Sequence, residues 1–120
     1  MNGIYLYAFH GNNYAKEAKK SIEYLRKIQK NISVAIVSDT DPEINCVNLR
    51  KSPVTSINSG YSYKVNAIAE FSESKFIFLD TDTRIINDVQ ELFYALEDCG
   101  ICGVVDPLLN SFDHLPELKQ

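Results

Sequence analysis

The sequence predicts an α/β fold, a mainly parallel sheet with helices on both faces. Short apolar, β-branched runs alternate with longer segments of helical periodicity, the signature of β-α-β units. Several runs end in polar or acidic residues, as at the carboxyl edge of an open sheet, where ligands bind. A length of 120 residues suits one domain with a real core.

Ile4 to Phe9 is aromatic and apolar and predicts the first strand. His10-Gly11-Asn12-Asn13 turns the chain, with Asn13 as the expected cap of the next helix. From Tyr14 to about Gln29, Ala15, Ala18, Ile22, Leu25 and Ile28 recur at helical spacing. Ser33 to Val37 predicts a second strand, closed by Ser38-Asp39-Thr40-Asp41-Pro42. Ile44 to Leu49 predicts a short strand, and Ser52-Pro53 and Ser59-Gly60 mark loops. A helix is expected from Tyr63 to Ser72, capped by Ser62, with Val65, Ile68 and Ala69 on one face. Lys75 to Asp80 predicts the clearest buried strand. Asp88 and Glu91 suggest an acidic capping box for a helix running to about Glu97 through Val89, Leu92, Phe93 and Leu96. Gly100 to Val105 reads as another strand ending at Asp106-Pro107, which sets a domain over 1–106 and a tail over 107–120.

Composition narrows the function. Twelve Lys and Arg against sixteen Asp and Glu give a formal charge of −4. That balance argues against nucleic acid as the main partner, because phosphate backbones are bound by clustered cations. The basic residues Lys16, Lys19, Lys20, Arg26, Lys27 and Lys30 spread along one helix and read as its solvated face. No apolar run approaches the roughly 20 residues that cross a bilayer, and Met1 to Ile4 shows no signal-peptide pattern. Three cysteines are an odd count for a disulfide framework, so the expectation is the reducing cytoplasm. Cys99 and Cys102 border a predicted strand rather than opening a helix, and they read as structural thiols rather than a redox pair or half a zinc site.

The chemistry concentrates in Phe76-Ile77-Phe78-Leu79-Asp80-Thr81-Asp82. On extended backbone, residues two apart point to the same side, so both carboxylates would reach one point past the strand. A hard cation such as Mn²⁺ or Mg²⁺ takes oxygen ligands, typically one or two carboxylates plus substrate phosphates. It would neutralise charge growing on a departing diphosphate. The bland alternative is a solvated turn.

Tyr63-Lys64-Val65, then Lys75 to Thr83, Ile86-Asn87-Asp88-Val89 and Glu91-Leu92-Phe93, resembles the central block of GT-A-type nucleotide-diphospho-sugar transferases, most closely glycosyltransferase family 8. The closest match spans about residues 61–106. The resemblance implies a Rossmann-like GT-A domain, truncated to its donor-binding half, that binds a nucleotide-diphosphate sugar, with UDP-sugars favoured. It implies that Asp80 contacts ribose and metal and that Asp82 ligates the metal. It further implies that Ala8, Asn12, Asn13 and Asp39 face the nucleoside, that Lys64 lies near phosphates or ribose, and that Asp106 lies near the donor sugar. Outside the motif, each position has an ordinary role as turn former, cap or surface charge. The implied reaction transfers the sugar to an acceptor hydroxyl, the acceptor being unspecified.

The departures are the late His and the His-X-Gly-X-X-Lys-Pro-Trp pattern of family 8. There is no Trp, and His114 lacks that context. The alternative is therefore a catalytically inactive nucleotide-binding or interaction module. Where a missing half would pack, an exposed apolar edge predicts self-association into a homo-oligomer. A haloacid-dehalogenase-type phosphatase also ends a strand in Asp-X-Asp, but it wants Thr or Val four residues after the first Asp, where Arg84 stands.

Overall fold

The computed structural model describes residues 3–71, 75–89 and 91–94. Strands β1 (Ile4–Phe9), β2 (Ser33–Ser38), β3 (Asn48–Lys51) and β4 (Phe76–Phe78) form one sheet in the order β3-β2-β1-β4. Every pairing is parallel. Helix α1 (Asn12–Ile28) connects β1 to β2, and α2 (Tyr61–Glu70) connects β3 to β4. This is the expected α/β arrangement, a mainly parallel sheet with flanking helices, and it is compatible with a Rossmann-like fold.

Two cores form because β1 and β2 send alternate side chains to opposite faces. Tyr5, Tyr7, Phe9, Val34 and Ile36 pack with Ala15, Ala18, Ile22 and Leu25 of α1. Leu6, Ala8, Ala35 and Val37 pack on the other face with Tyr63 and Ala67 of α2 and with Phe71. A strand buried on both sides must be apolar throughout, which is why Ile4 to Phe9 shows no polar alternation. Inside the first core, the Tyr7 and Ser21 hydroxyls satisfy each other at 2.7 Å.

The structure corrects several local expectations. Helix α1 starts two residues earlier than predicted, and Gly11, not Asn13, is its N-cap. Gly11 takes φ 94°, ψ 155°, a region essentially reserved for glycine. The third strand is Asn48–Lys51 rather than 44–49. Glu43 and Cys46 adopt positive φ of 57° and 59° and hold the preceding stretch in a loop. Being an edge strand, Asn48-Leu49-Arg50-Lys51 is largely exposed and carries no apolar period.

Helix α2 spans Tyr61–Glu70 and is capped by Gly60 rather than Ser62. Its buried face is Tyr63 and Ala67, not Val65, Ile68 and Ala69. Val65 is 61% exposed. Tyr63 wins the inward position because its ring fills the space under the sheet while its hydroxyl donates to the Ser52 carbonyl at 2.7 Å. Strand β4 is three residues long and only half-buried, shorter than the predicted 75–80. After it, residues 91–94 are helical, with Phe93 buried edge-on to Tyr5 and Leu92 exposed. The Asp88 carboxylate accepts from the Gln29 amide, which ties this segment to the end of α1. The predicted strand over 100–105, the tail, Asp106 and the cysteines at 99 and 102 lie outside the described residues.

Candidate functional site

The sheet order decides where a ligand would sit. The chain steps outward from β1 to β2 to β3, then returns to lay β4 on the other side of β1. Such a reversal opens a crevice at the carboxyl ends of the strands on either side of it, here β1 and β4. Phe9 and Ser38 are register partners, so β1 and β2 end side by side. Asp80 follows Phe78, the partner of Leu6, by two residues and leaves the sheet at about the level of Ala8.

The β1–α1 loop is fixed to β2 by one hydrogen bond. Gly11 N–H donates to the Asp39 carboxylate at 3.0 Å. Asp39 thus follows β2 directly at this edge, with one oxygen engaged in positioning the loop. Asn12 and Asn13 open α1 and are exposed at this edge. Ala8 is buried in the α2-side core, so its side chain packs beneath the edge rather than facing outward. His10 stacks edge-on against Tyr63, with ring centroids 5.3 Å apart, which links the same loop to α2.

Both helices begin at this edge without a side-chain cap and without an acidic residue in the first turn. Their positive dipole ends therefore lack the usual intrahelical compensation. Lys64, the fourth residue of α2, adds a cation, and its ammonium pairs with Asp80 Oδ1 at 3.0 Å. Both side chains of that pair are partly exposed, at 39% and 58%.

Asp80 and Asp82 do not lie on extended backbone. Thr83 N–H donates to the Asp80 carbonyl at 3.0 Å, which closes a turn over 80–83. The same-side argument for the two carboxylates therefore gives way to the geometry of a turn, which Arg84 locks. Its guanidinium donates to the Thr81 and Thr83 carbonyls at 3.1 and 2.9 Å and lies over the Tyr24 ring. Thr81 is buried, and its hydroxyl donates to Glu17 of α1 at 3.3 Å. Asp82 is exposed.

Sequence reasoning missed Glu17, Tyr24, Thr81 and Arg84 as supports of this turn. A buried threonine between two acids, followed by an arginine, was the available signal, but its partners lie in α1, about 60 residues away.

No protein-family model matches this chain, and no curated protein matches it.

A divalent cation such as Mg²⁺ or Mn²⁺ needs several oxygen ligands gathered at one point. Among the described residues, no three of His, Cys, Asp and Glu gather closely enough to hold one. Two carboxylates from one turn would leave most of a Mg²⁺ or Mn²⁺ shell to substrate phosphates and water. A cation at this turn would therefore need oxygen ligands beyond those of the described residues. No helix of the described residues is long and apolar enough to cross a membrane.

Proposed function

We propose that this chain binds a nucleotide-diphosphate sugar, with UDP-sugars favoured, together with Mn²⁺ or Mg²⁺ at Asp80 and Asp82. Transfer of the sugar to an acceptor hydroxyl is the reaction that this reading carries, as in the GT-A-type transferases that residues 61–106 resemble. The observation that carries it is placement: the β1–α1 loop tied to Asp39, and the Lys64–Asp80 pair with its turn, lie along the carboxyl edge of the sheet on either side of the point where the strand order reverses.

Each residue has a role in this reading. Asp39 holds the β1–α1 loop through Gly11, and that loop, with Asn12 and Asn13, borders the nucleoside. The uncapped starts of α1 and α2 favour the negative diphosphate. Asp80 and Asp82 hold the cation, and Arg84 and Thr81 keep their turn in place. The bound cation supplies Lewis-acid neutralisation of the leaving diphosphate.

Calorimetric titration of UDP and GDP tests this, with and without Mn²⁺, on the wild type and on Asp82→Ala. The expected result is UDP binding that requires Mn²⁺ and weakens at least about tenfold in the variant, as for loss of one charged ligand. A folded wild type that binds neither nucleotide refutes the proposal. Binding without sugar transfer to any acceptor would mark the chain as a nucleotide-binding module.

A further inference from the structure

We infer that the outer face of α1 is an electrostatic docking surface for an anionic phospholipid bilayer. The inference is independent of the proposed donor site.

Ala15, Ala18, Ile22 and Leu25 turn one stripe of α1 into the core, and Lys16, Lys20 and Lys27 lie along the opposite face. From Lys16 to Lys27 the helix makes about three full turns, so the three ammonium groups stand in one line. Lys19 and Lys30 flank that line and are also exposed. Among the described residues, none of these five lysines is paired with a carboxylate. Glu23 shares the face, yet Lys27 turns instead over the Tyr24 ring, 5.2 Å from its centroid.

The folded helix does not need this charge. Lys16 and Lys20, four residues apart, repel each other. Neither stands near the carboxyl end of α1, where the dipole favours a cation as it does for Arg26 and Lys27.

Charge is also unevenly shared along the chain. Residues 12–30 carry six cations against two carboxylates, whereas the remainder carries six against fourteen. A planar bilayer can meet the basic side alone, while a flexible nucleic acid would also sample the acidic remainder. Five of the six cations are lysines, point charges that suit mobile headgroups better than the bidentate phosphate contacts of arginine. Tyr24, 44% exposed beside Lys27, offers an amphipathic ring of the kind that rests at headgroup level. No apolar strip accompanies the lysines, so binding is adsorption to the surface and is weakened by salt.

Flotation with vesicles of phosphatidylcholine alone, and of an equal mixture with phosphatidylserine, tests this at low and high salt. The wild type should float only with the mixed vesicles and only at low salt. Lys20→Gln should weaken that binding about fivefold, and the triple variant Lys16→Gln, Lys20→Gln, Lys27→Gln at least about thirtyfold. Lys51→Gln removes the same charge from the exposed edge strand β3 and should stay within about twofold of the wild type. Glutamine matches lysine in helix propensity, so circular dichroism of the variants should match the wild type.

A folded wild type that does not float with the mixed vesicles refutes the inference. Equal losses in Lys20→Gln and Lys51→Gln would reduce the effect to net charge and overturn the assignment to α1. Tighter binding of a labelled RNA duplex than of the mixed vesicles would give this face to nucleic acid and overturn it as well.

Discussion

Replacing Gly11 with alanine tests whether the loop beside the site is held by backbone geometry. Gly11 adopts φ 94°, ψ 155°, where an L-residue costs about 1–3 kcal/mol. A Cβ added there meets no atom within 4 Å, so no clash contributes and the whole cost is conformational. Alanine also narrows the unfolded ensemble, which returns about 0.4–1 kcal/mol. The net loss is about 1–2 kcal/mol. For a domain of this size, that lowers the melting temperature by about 4–10 °C.

The same residue donates its N–H to Asp39, so the two positions are coupled. Asp39→Ala removes a hydrogen bond to a charged acceptor, worth about 1.5 kcal/mol in this partly buried setting. In Gly11→Ala the loop relaxes away from its φ and the N–H leaves Asp39. The double variant should therefore lose less than the sum of the single losses, by at least about 0.5 kcal/mol. Thermal and urea unfolding followed by circular dichroism measure all four proteins. A Gly11→Ala protein that melts with the wild type would refute the strain argument. Strict additivity would refute the coupling.

Two further outcomes follow from packing and titration. Val65→Ser, on the exposed face of α2, should change stability by no more than about 0.5 kcal/mol. Ala67→Leu, on the buried face, should cost about 1–3 kcal/mol by overpacking. Urea midpoints that reverse this order would restore the helix face first expected from the sequence. Burial raises the phenol of Tyr7 above its ordinary value near 10, only partly offset by its Ser21 hydrogen bond and by Arg84. Burial likewise raises Tyr5 and Tyr63. The folded state thus favours the neutral phenol. This contribution to stability is complete below pH 10 and is lost as pH rises through the raised folded value. Tyr7→Phe should flatten the fall in the unfolding free energy above pH 10; an unchanged slope would place that fall elsewhere.

The sequence by itself determined the α/β class, the two central strands and α1. Ile4 to Phe9 and Ser33 to Val37 must be buried on both faces, and the period of Ala15, Ala18, Ile22 and Leu25 can serve only one helical stripe. It also placed Asp39 and Asp80 at strand ends, because a polar residue after a long apolar run marks where the sheet meets water. Local pattern could not determine β3, whose exposed edge position removes the apolar period, nor the face of α2. There, Val65 and Ile68 are as apolar as the residues that are buried, and only the fit of Tyr63 beneath the sheet selects between them. The turn over Asp80 to Thr83 was likewise a tertiary outcome. Arg84 bonds it from within, and Glu17 and Tyr24 reach it from a helix far away in sequence. Periodicity reports which residues must leave water; which partner each then meets is fixed only when the sheet order brings distant segments to the same edge.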